Sequence, residues 1–333
     1  MAPDPRPVKL EPRLVQRIWG GRRLEAWGKA LPGQATVGES WEVYDDASGS
    51  ARCAGPAPAG AGLGELASAW GKGLYGEGRG PVQGRFPLLV KLIDARDDLS
   101  VQVHPDDALA RELHGADACG KSEMWVVLEA PAGARVLNGF RPGTTPERLR
   151  QALADGTVAG LLNTVAVRPG DVIDVPAGKP HAIGAGCMVA EVQQNSDLTY
   201  RLWDYGRLEN GKPRALHLEQ AGRALRFDGV GCGDGRVQAM KQRQAWGASE
   251  ALVRNAYFSV ERWTLAPAGP GVHLQAGRLR VLVPLQGSLR VEWGAGGAAL
   301  ALARGETALI PAAAAVRIDA GGEGARVLCV ELV

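Results

Sequence analysis

Short apolar runs recur along the chain at 86–93, 99–103, 124–128, 172–175 and 188–192, each rich in Val, Ile and Leu and bounded by Gly, Pro or Asp. Their brevity and β-branched content predict strands. Helical periodicity is rarer. It predicts helices over 106–113, from a capping-box start at 144–147 to about Leu153, and over 216–225. A mainly β protein with helical insertions follows.

A repeated frame divides this pattern in two. Gly170, five residues and Pro176 recur as Gly305, five residues and Pro311, each at the end of a strand-like run. Five positions beyond the proline stands His181 in the first copy and Val316 in the second. The second copy keeps the frame and lacks the imidazole. Between the copies, residues 228–244 are glycine-rich and charged without periodicity, which reads as a linker. A length of 333 residues exceeds the usual single core. The expected domains are 1–235 and 236–333, with the chemistry in the first.

Composition narrows the function by exclusion. Lys and Arg total 38 against 36 for Asp and Glu, so no broad surface for nucleic acid or anionic membrane is expected. The five cysteines are widely spaced and show no C-x-x-C or zinc-finger pattern, as for reduced thiols. No apolar stretch nears the roughly 20 residues that span a bilayer, and residues 1–10 carry three prolines where a signal peptide needs an apolar segment. The expectation is a soluble, cytoplasmic protein. With 46 glycines, the run Gly60-Ala61-Gly62-Leu63-Gly64 carries no weight as a phosphate loop.

The candidate chemistry centres on Gln102-Val103-His104. Residues two apart on a strand face the same side, so Gln102 and His104 can reach one ion together, with Glu123 and His181 arriving from other strands. Two imidazoles, a carboxylate and an amide oxygen suit a divalent ion with room for a substrate oxygen. By the same spacing Ser100 joins the face of Gln102 and Lys121 that of Glu123. Lys91 sits inside the apolar run 87–93, where an unpaired charge is costly, so it needs an anion.

The segment Gly170-x5-Pro176-x-Gly178-x-x-His181 resembles the second cupin motif. Further segments join it: Trp19-Gly20-Gly21, Gly38-Glu39-Ser40-Trp41-Glu42, Ser100-Val101-Gln102-Val103-His104-Pro105, Gly120-Lys121-Ser122-Glu123 and Tyr200-Arg201-Leu202-Trp203-Asp204. Together they make the chain similar, over nearly its whole length, to type I mannose-6-phosphate isomerases of the short bacterial form. The resemblance implies two cupin-like barrels (double-stranded β-helix, jelly-roll), with helical insertions in the first and no metal in the second. It implies one zinc ion per chain on Gln102, His104, Glu123 and His181, and a sugar-phosphate substrate. It adds Lys91, Arg201 and Arg207 to Ser100 and Lys121 as the pocket lining. The implied reaction interconverts mannose 6-phosphate and fructose 6-phosphate through a cis-enediol, with Arg201 and Lys121 as catalytic cations. Glu191, ten residues before Arg201, is the candidate base, against a reading as a structural salt bridge.

The chain departs from general cupins at two points. Glutamine replaces one ligand, and about eighteen residues with a helix intervene before Glu123. Both argue against the alternative of an iron or manganese bicupin oxidase or decarboxylase; a non-catalytic sugar-phosphate-binding bicupin is the remaining alternative. A neutral glutamine leaves the ion a stronger Lewis acid. His114, His217 and His273 read as structural, and Trp19, Trp41 and Glu39 as packing around the first barrel.

Overall fold

All seven residues of the strand Leu88–Asp94 are buried, as are all seven of Met188–Gln194. A strand covered on both faces belongs to a middle layer. In the computed structural model, which describes residues 4–55, 58–78, 80–82 and 84–333, these two strands are the centre of a six-stranded sheet. Its order is Val172–Val175, Glu123–Glu129, Met188–Gln194, Leu88–Asp94, Glu39–Val43, Arg13–Val15. Alternate residues divide between its faces. Ile93, Trp125 and Val189 pack with Val136 and Ile183 of a five-stranded sheet, ordered Leu162–Ala166, Arg135–Phe140, His181–Ile183, Val101–Val103, Tyr200–Trp203. Val90, Leu92, Val126 and Ala190 pack instead with Phe258, Val260 and Val330 of a ten-stranded sheet.

The fold is mainly β, and the predicted strands lie within about two residues of the observed ones. Among the described residues no sheet closes into a barrel; the six- and five-stranded sheets face each other as separate layers. The ten-stranded sheet is built on two long strands, Arg280–Trp293 and Val316–Leu332, and covers a second core that includes Trp263, Leu282, Val291 and Val327. Its membership is not confined to the C-terminal part. The strand Val8–Glu11 pairs with Thr307–Ile310 and brings Arg52–Gly55 with it.

The two repeat frames are superimposable in outline. Gly170 and Gly305 take φ of 93° and 79°, values that suit glycine. The strands Val172–Val175 and Thr307–Ile310 each end before the proline, and the next strands open at His181 and Val316.

The expected helices form as Asp107–His114, Pro146–Asp155 and Leu218–Ala224. The first is capped by Asp106, and the second by Thr145 with proline in its first turn. Two differences stand out. Leu63–Trp70 and Lys72–Tyr75 are helices inside a Gly/Ala-rich stretch whose burial of Leu63, Leu66, Trp70 and Leu74 outweighs weak local signals. The expected linker ends in an exposed strand, Met240–Gln244, paired to Gly247–Arg254. With both faces in water, that strand shows no alternation to read. No described helix is long and apolar enough to cross a membrane.

Candidate functional site

Val101–Val103 lies in the five-stranded sheet between His181–Ile183 and Tyr200–Trp203, and the pairing sets His181 directly opposite Gln102. Glu123 opens its strand in the facing sheet, paired with Val175 on one side and Gln193 on the other. The two layers thus bring three ligand types to one point. Nε2 of His104 lies 3.3 Å from Oε2 of Glu123, and Nε2 of His181 lies 3.3 Å from Oε1. The three donor atoms fall within 4.8 Å of one another, and all three residues are buried.

Each imidazole is anchored from behind. Nδ1 of His104 is 2.8 Å from the Leu198 carbonyl and Nδ1 of His181 is 2.9 Å from that of Lys179. Nδ1 can only donate to a carbonyl, which leaves both Nε2 lone pairs facing Glu123. Burial, and then the neighbouring Lys121 ammonium, push His104 down to about 3, so its ring is neutral. Burial likewise lowers His181. Burial works against the charge on Glu123, yet the Lys121 ammonium 2.6 Å away holds its carboxyl well below the usual range.

A bound cation fits this donor set. Neither carboxylate oxygen of Glu123 receives a well-aligned hydrogen bond, although Lys121 Nζ stands 2.6 Å from Oε2. Buried acceptors without donors need a positive charge between them. Nε2 of Gln102 lies 3.3 Å from Nε2 of His181, and exchanging the two ends of the amide turns its oxygen to the same point without changing shape.

Beside the cluster a cavity of about 400 Å³ opens between the two sheets. Cross-strand pairing lays Trp41, Lys91, Glu191 and Trp125 in one row along its wall. Lys91 Nζ is 3.2 Å from Glu191 Oε2 and 5.1 Å from the centroid of the Trp41 ring. Trp125 Nε1 donates to Glu191 Oε1 at 3.1 Å. Burial, then the Glu123 charge, raises the Glu191 carboxyl, with Lys91 opposing. Glu39 shows the reverse balance: burial is outweighed by Lys91 and by Arg17, at 3.0 Å, and its carboxyl is held at about 2.

Of the residues singled out in the sequence, Ser100, Gln102, Lys91, Lys121, Glu191 and Arg201 line this cavity. His104, Glu123 and His181 join it through Gln102 and Lys121. Arg207 is turned elsewhere, donating to the Asp98 carbonyl and to Asp204, and lies outside the lining. In its place stands Arg214, which sequence reasoning missed along with Arg17. Trp19 and Glu39, expected as packing, are also wall residues. A charge within the buried strand Glu39–Val43 is the signal that had exposed Lys91, and it could have found Glu39. His114 meets the Tyr200 hydroxyl at 2.8 Å, and His217 accepts from the Arg201 amide at 3.1 Å.

The family model for the catalytic domain of type I phosphomannose isomerases matches residues 8–136. The probable mannose-6-phosphate isomerase GmuF of Bacillus subtilis is 38% identical over 263 residues, covering 78% of this chain and 80% of that one. The mannose-6-phosphate isomerase of Streptococcus mutans is 37% identical over 262 residues, covering 78% and 79%. The crystal structure of the mannose 6-phosphate isomerase from Bacillus subtilis superposes with a TM-score of 0.86 at 30% identity, over 98% of this chain and 100% of the other. A putative mannosephosphate isomerase from Archaeoglobus fulgidus, 24% identical, shares the fold with a TM-score of 0.76 over 98% of both chains.

Proposed function

The chain belongs to the type I phosphomannose isomerases, and from that membership we propose that it interconverts mannose 6-phosphate and fructose 6-phosphate in the cavity between its six- and five-stranded sheets. One observation carries the assignment to this cavity: a buried two-imidazole, one-carboxylate cluster shares it with the Lys91–Glu191 pair and Arg201.

His104, Glu123, His181 and Gln102 would hold one zinc ion. Bound there, zinc supplies Lewis acidity toward the sugar oxygens without redox chemistry. Glu191 is the base. Its raised carboxyl, with Oε2 lacking an aligned donor, is suited to take the proton from C2 and return it to C1. C1 and C2 then exchange oxidation level through the cis-enediol as a hydroxyl proton passes from O2 to O1, with no net gain or loss of electrons. Lys121 and Arg201 stabilise the oxyanion that develops as the carbon-bound proton leaves. The buried Arg201 Nε has no hydrogen-bond partner among the described residues and is free to donate. Ser100 and Lys91 hold the sugar, while Arg207, the cation expected beside them, is engaged by the Asp98 carbonyl and Asp204 outside the cavity lining.

The sheets are further read as two cupin-type jelly rolls, in domains 1–235 and 236–333. The second core supports this, since its residues run from Trp246 to Cys329. The natural setting proposed is the cytoplasm, where hexose phosphates are found.

Zinc content and mannose 6-phosphate isomerisation, measured on the purified protein and on His181→Ala, test this reading. Wild type should carry one zinc and turn over, and the variant should lose both. A variant that kept its zinc and its activity, or a wild type holding a redox metal with oxygen-dependent turnover, would overturn it.

A further inference from the structure

Asp204 follows the strand Tyr200–Trp203 and is buried, although it belongs to none of the clusters above. Its carboxylate is gripped by two arginines seven residues apart, Arg207 and Arg214. Arg214 Nε donates to Oδ2 at 2.7 Å and Nη2 to Oδ1, while Arg207 Nη2 also reaches Oδ1. Arg207 and Arg214 are the two feet of a small hairpin, Leu208–Glu209 paired with Lys212–Pro213. All four hairpin residues are exposed, so the hairpin buries nothing that could set its angle to the cavity. Tying both feet to one buried carboxylate does so instead.

The consequence falls on the cavity wall. Arg214, with its side chain only 11% exposed, lines the cavity beside Arg201 and Ala215. Arg201 Nη1 donates to the Ala215 carbonyl at 2.7 Å, which ties the second foot to the catalytic wall. Asp204 takes Nε and Nη2 of Arg214, and Nη1 makes no hydrogen bond among the described residues. Three guanidinium groups stand in this corner against Asp204 and Glu209. Burial, and then the Arg214 charge, hold the Arg201 guanidinium below its ordinary value, with Asp204 and Glu209 opposing.

We propose that Arg214 is the guanidinium that receives the phosphate dianion of the substrate and that Asp204 is its positioning residue, stapling the hairpin so that Nη1 faces the cavity. The proposal rests on the sugar-phosphate isomerase reading for the identity of the ligand. The phosphate subsite itself can be tested without it.

Steady-state kinetics with mannose 6-phosphate and calorimetric titration with inorganic phosphate should be run on wild type, Asp204→Asn, Arg214→Ala, Arg214→Lys and Arg207→Ala. Loss of a charge-assisted hydrogen bond weakens binding by about tenfold or more. Asp204→Asn and Arg214→Ala should raise KM and weaken phosphate binding by that factor, with a smaller fall in kcat and zinc content unchanged. Arg214→Lys should fall between, since it keeps the charge and loses the two-toothed grip. A wild type that binds phosphate through Arg214 but does not isomerise would sink the isomerase reading and leave this subsite standing. Two results overturn the proposal: a loss confined to kcat with phosphate affinity intact, or a larger KM effect from Arg207→Ala than from Arg214→Ala.

Discussion

Replacing Lys91 by methionine keeps an unbranched side chain one atom shorter and removes its charge, and the structure sets what that charge is holding. Nζ lies 3.2 Å from Glu191 Oε2, and Glu39 depends on Lys91 first among the groups that keep its carboxyl at about 2. At an effective dielectric constant near 20, unit charges at that separation attract by about 5 kcal/mol. Breaking a buried pair by removing one partner costs about 3–5 kcal/mol, because the other charge stays buried. Lys91→Met should therefore lose about that much stability at pH 7, read by urea denaturation with a chelator present so that no metal ion makes up the charge. The pH dependence has a definite sign. In wild type, Glu39 ionises far below its ordinary value of 4.5, so its contribution is present above that value and fades as pH falls toward 2. Without Lys91, Glu191 is raised further still. A carboxyl raised on folding supports the native state at low pH and opposes it as pH climbs through its ordinary range. The gap between the two proteins should then narrow from pH 7 to pH 4. A cost below about 1 kcal/mol, or one equal at both pH values, would refute the claim that Lys91 neutralises this wall.

Three further outcomes follow from particular contacts. A Cβ at Gly120 would come within 2.6 Å of the backbone at Asp106 and Asp107, so Gly120→Ala should displace the turn into Lys121 and Glu123 and reduce zinc content, measured by atomic absorption. Thr145→Ala removes the cap of the helix Pro146–Asp155, which should lower stability by about 1 kcal/mol in thermal melts and leave KM for mannose 6-phosphate unchanged. Val316→His restores the missing imidazole of the second repeat but should leave metal stoichiometry at one per chain. The register places Arg280, paired with Glu331 at 3.0 Å, where the first repeat has Glu123.

Much of the scaffold was legible because a strand buried on both faces must be spelled almost wholly in Val, Ile and Leu. Lys91 stood out against that background, and Gln102, His104, Glu123 and His181 stood out by spacing and by the repeat. The opposite corner of the cavity was harder. Whether Arg207 or Arg214 faces the interior is decided by Asp204 and a four-residue exposed hairpin, a tertiary contact with no periodicity in the sequence. The helices Leu63–Trp70 and Lys72–Tyr75 were hidden for a related reason. Their stability comes from burying a few large side chains in the core between the six- and ten-stranded sheets rather than from local propensity.

Those helices also bear on why one repeat carries the site and the other does not. The Leu74 and Gly73 carbonyls accept hydrogen bonds from Ala312 and Ala313, immediately after Pro311 in the second frame. An N-terminal segment therefore covers the stretch equivalent to the one that leads to His181 in the first. At the neighbouring position a cation, Arg280 paired with Glu331, replaces the carboxylate of Glu123. Losing the imidazole is thus one of three changes, and each of them removes a requirement for metal binding. The first repeat keeps all three: an open cavity, a buried carboxylate facing the imidazoles, and imidazoles fixed from behind. Its charged row projects from a sheet whose other face is packed against the ten-stranded sheet, so Lys91, Glu191 and Glu123 are held in place before any ligand arrives. Preorganised charge of this kind adds no reorganisation cost when an oxyanion develops. The ten-stranded sheet contributes in that sense, by packing against the back of the cavity wall.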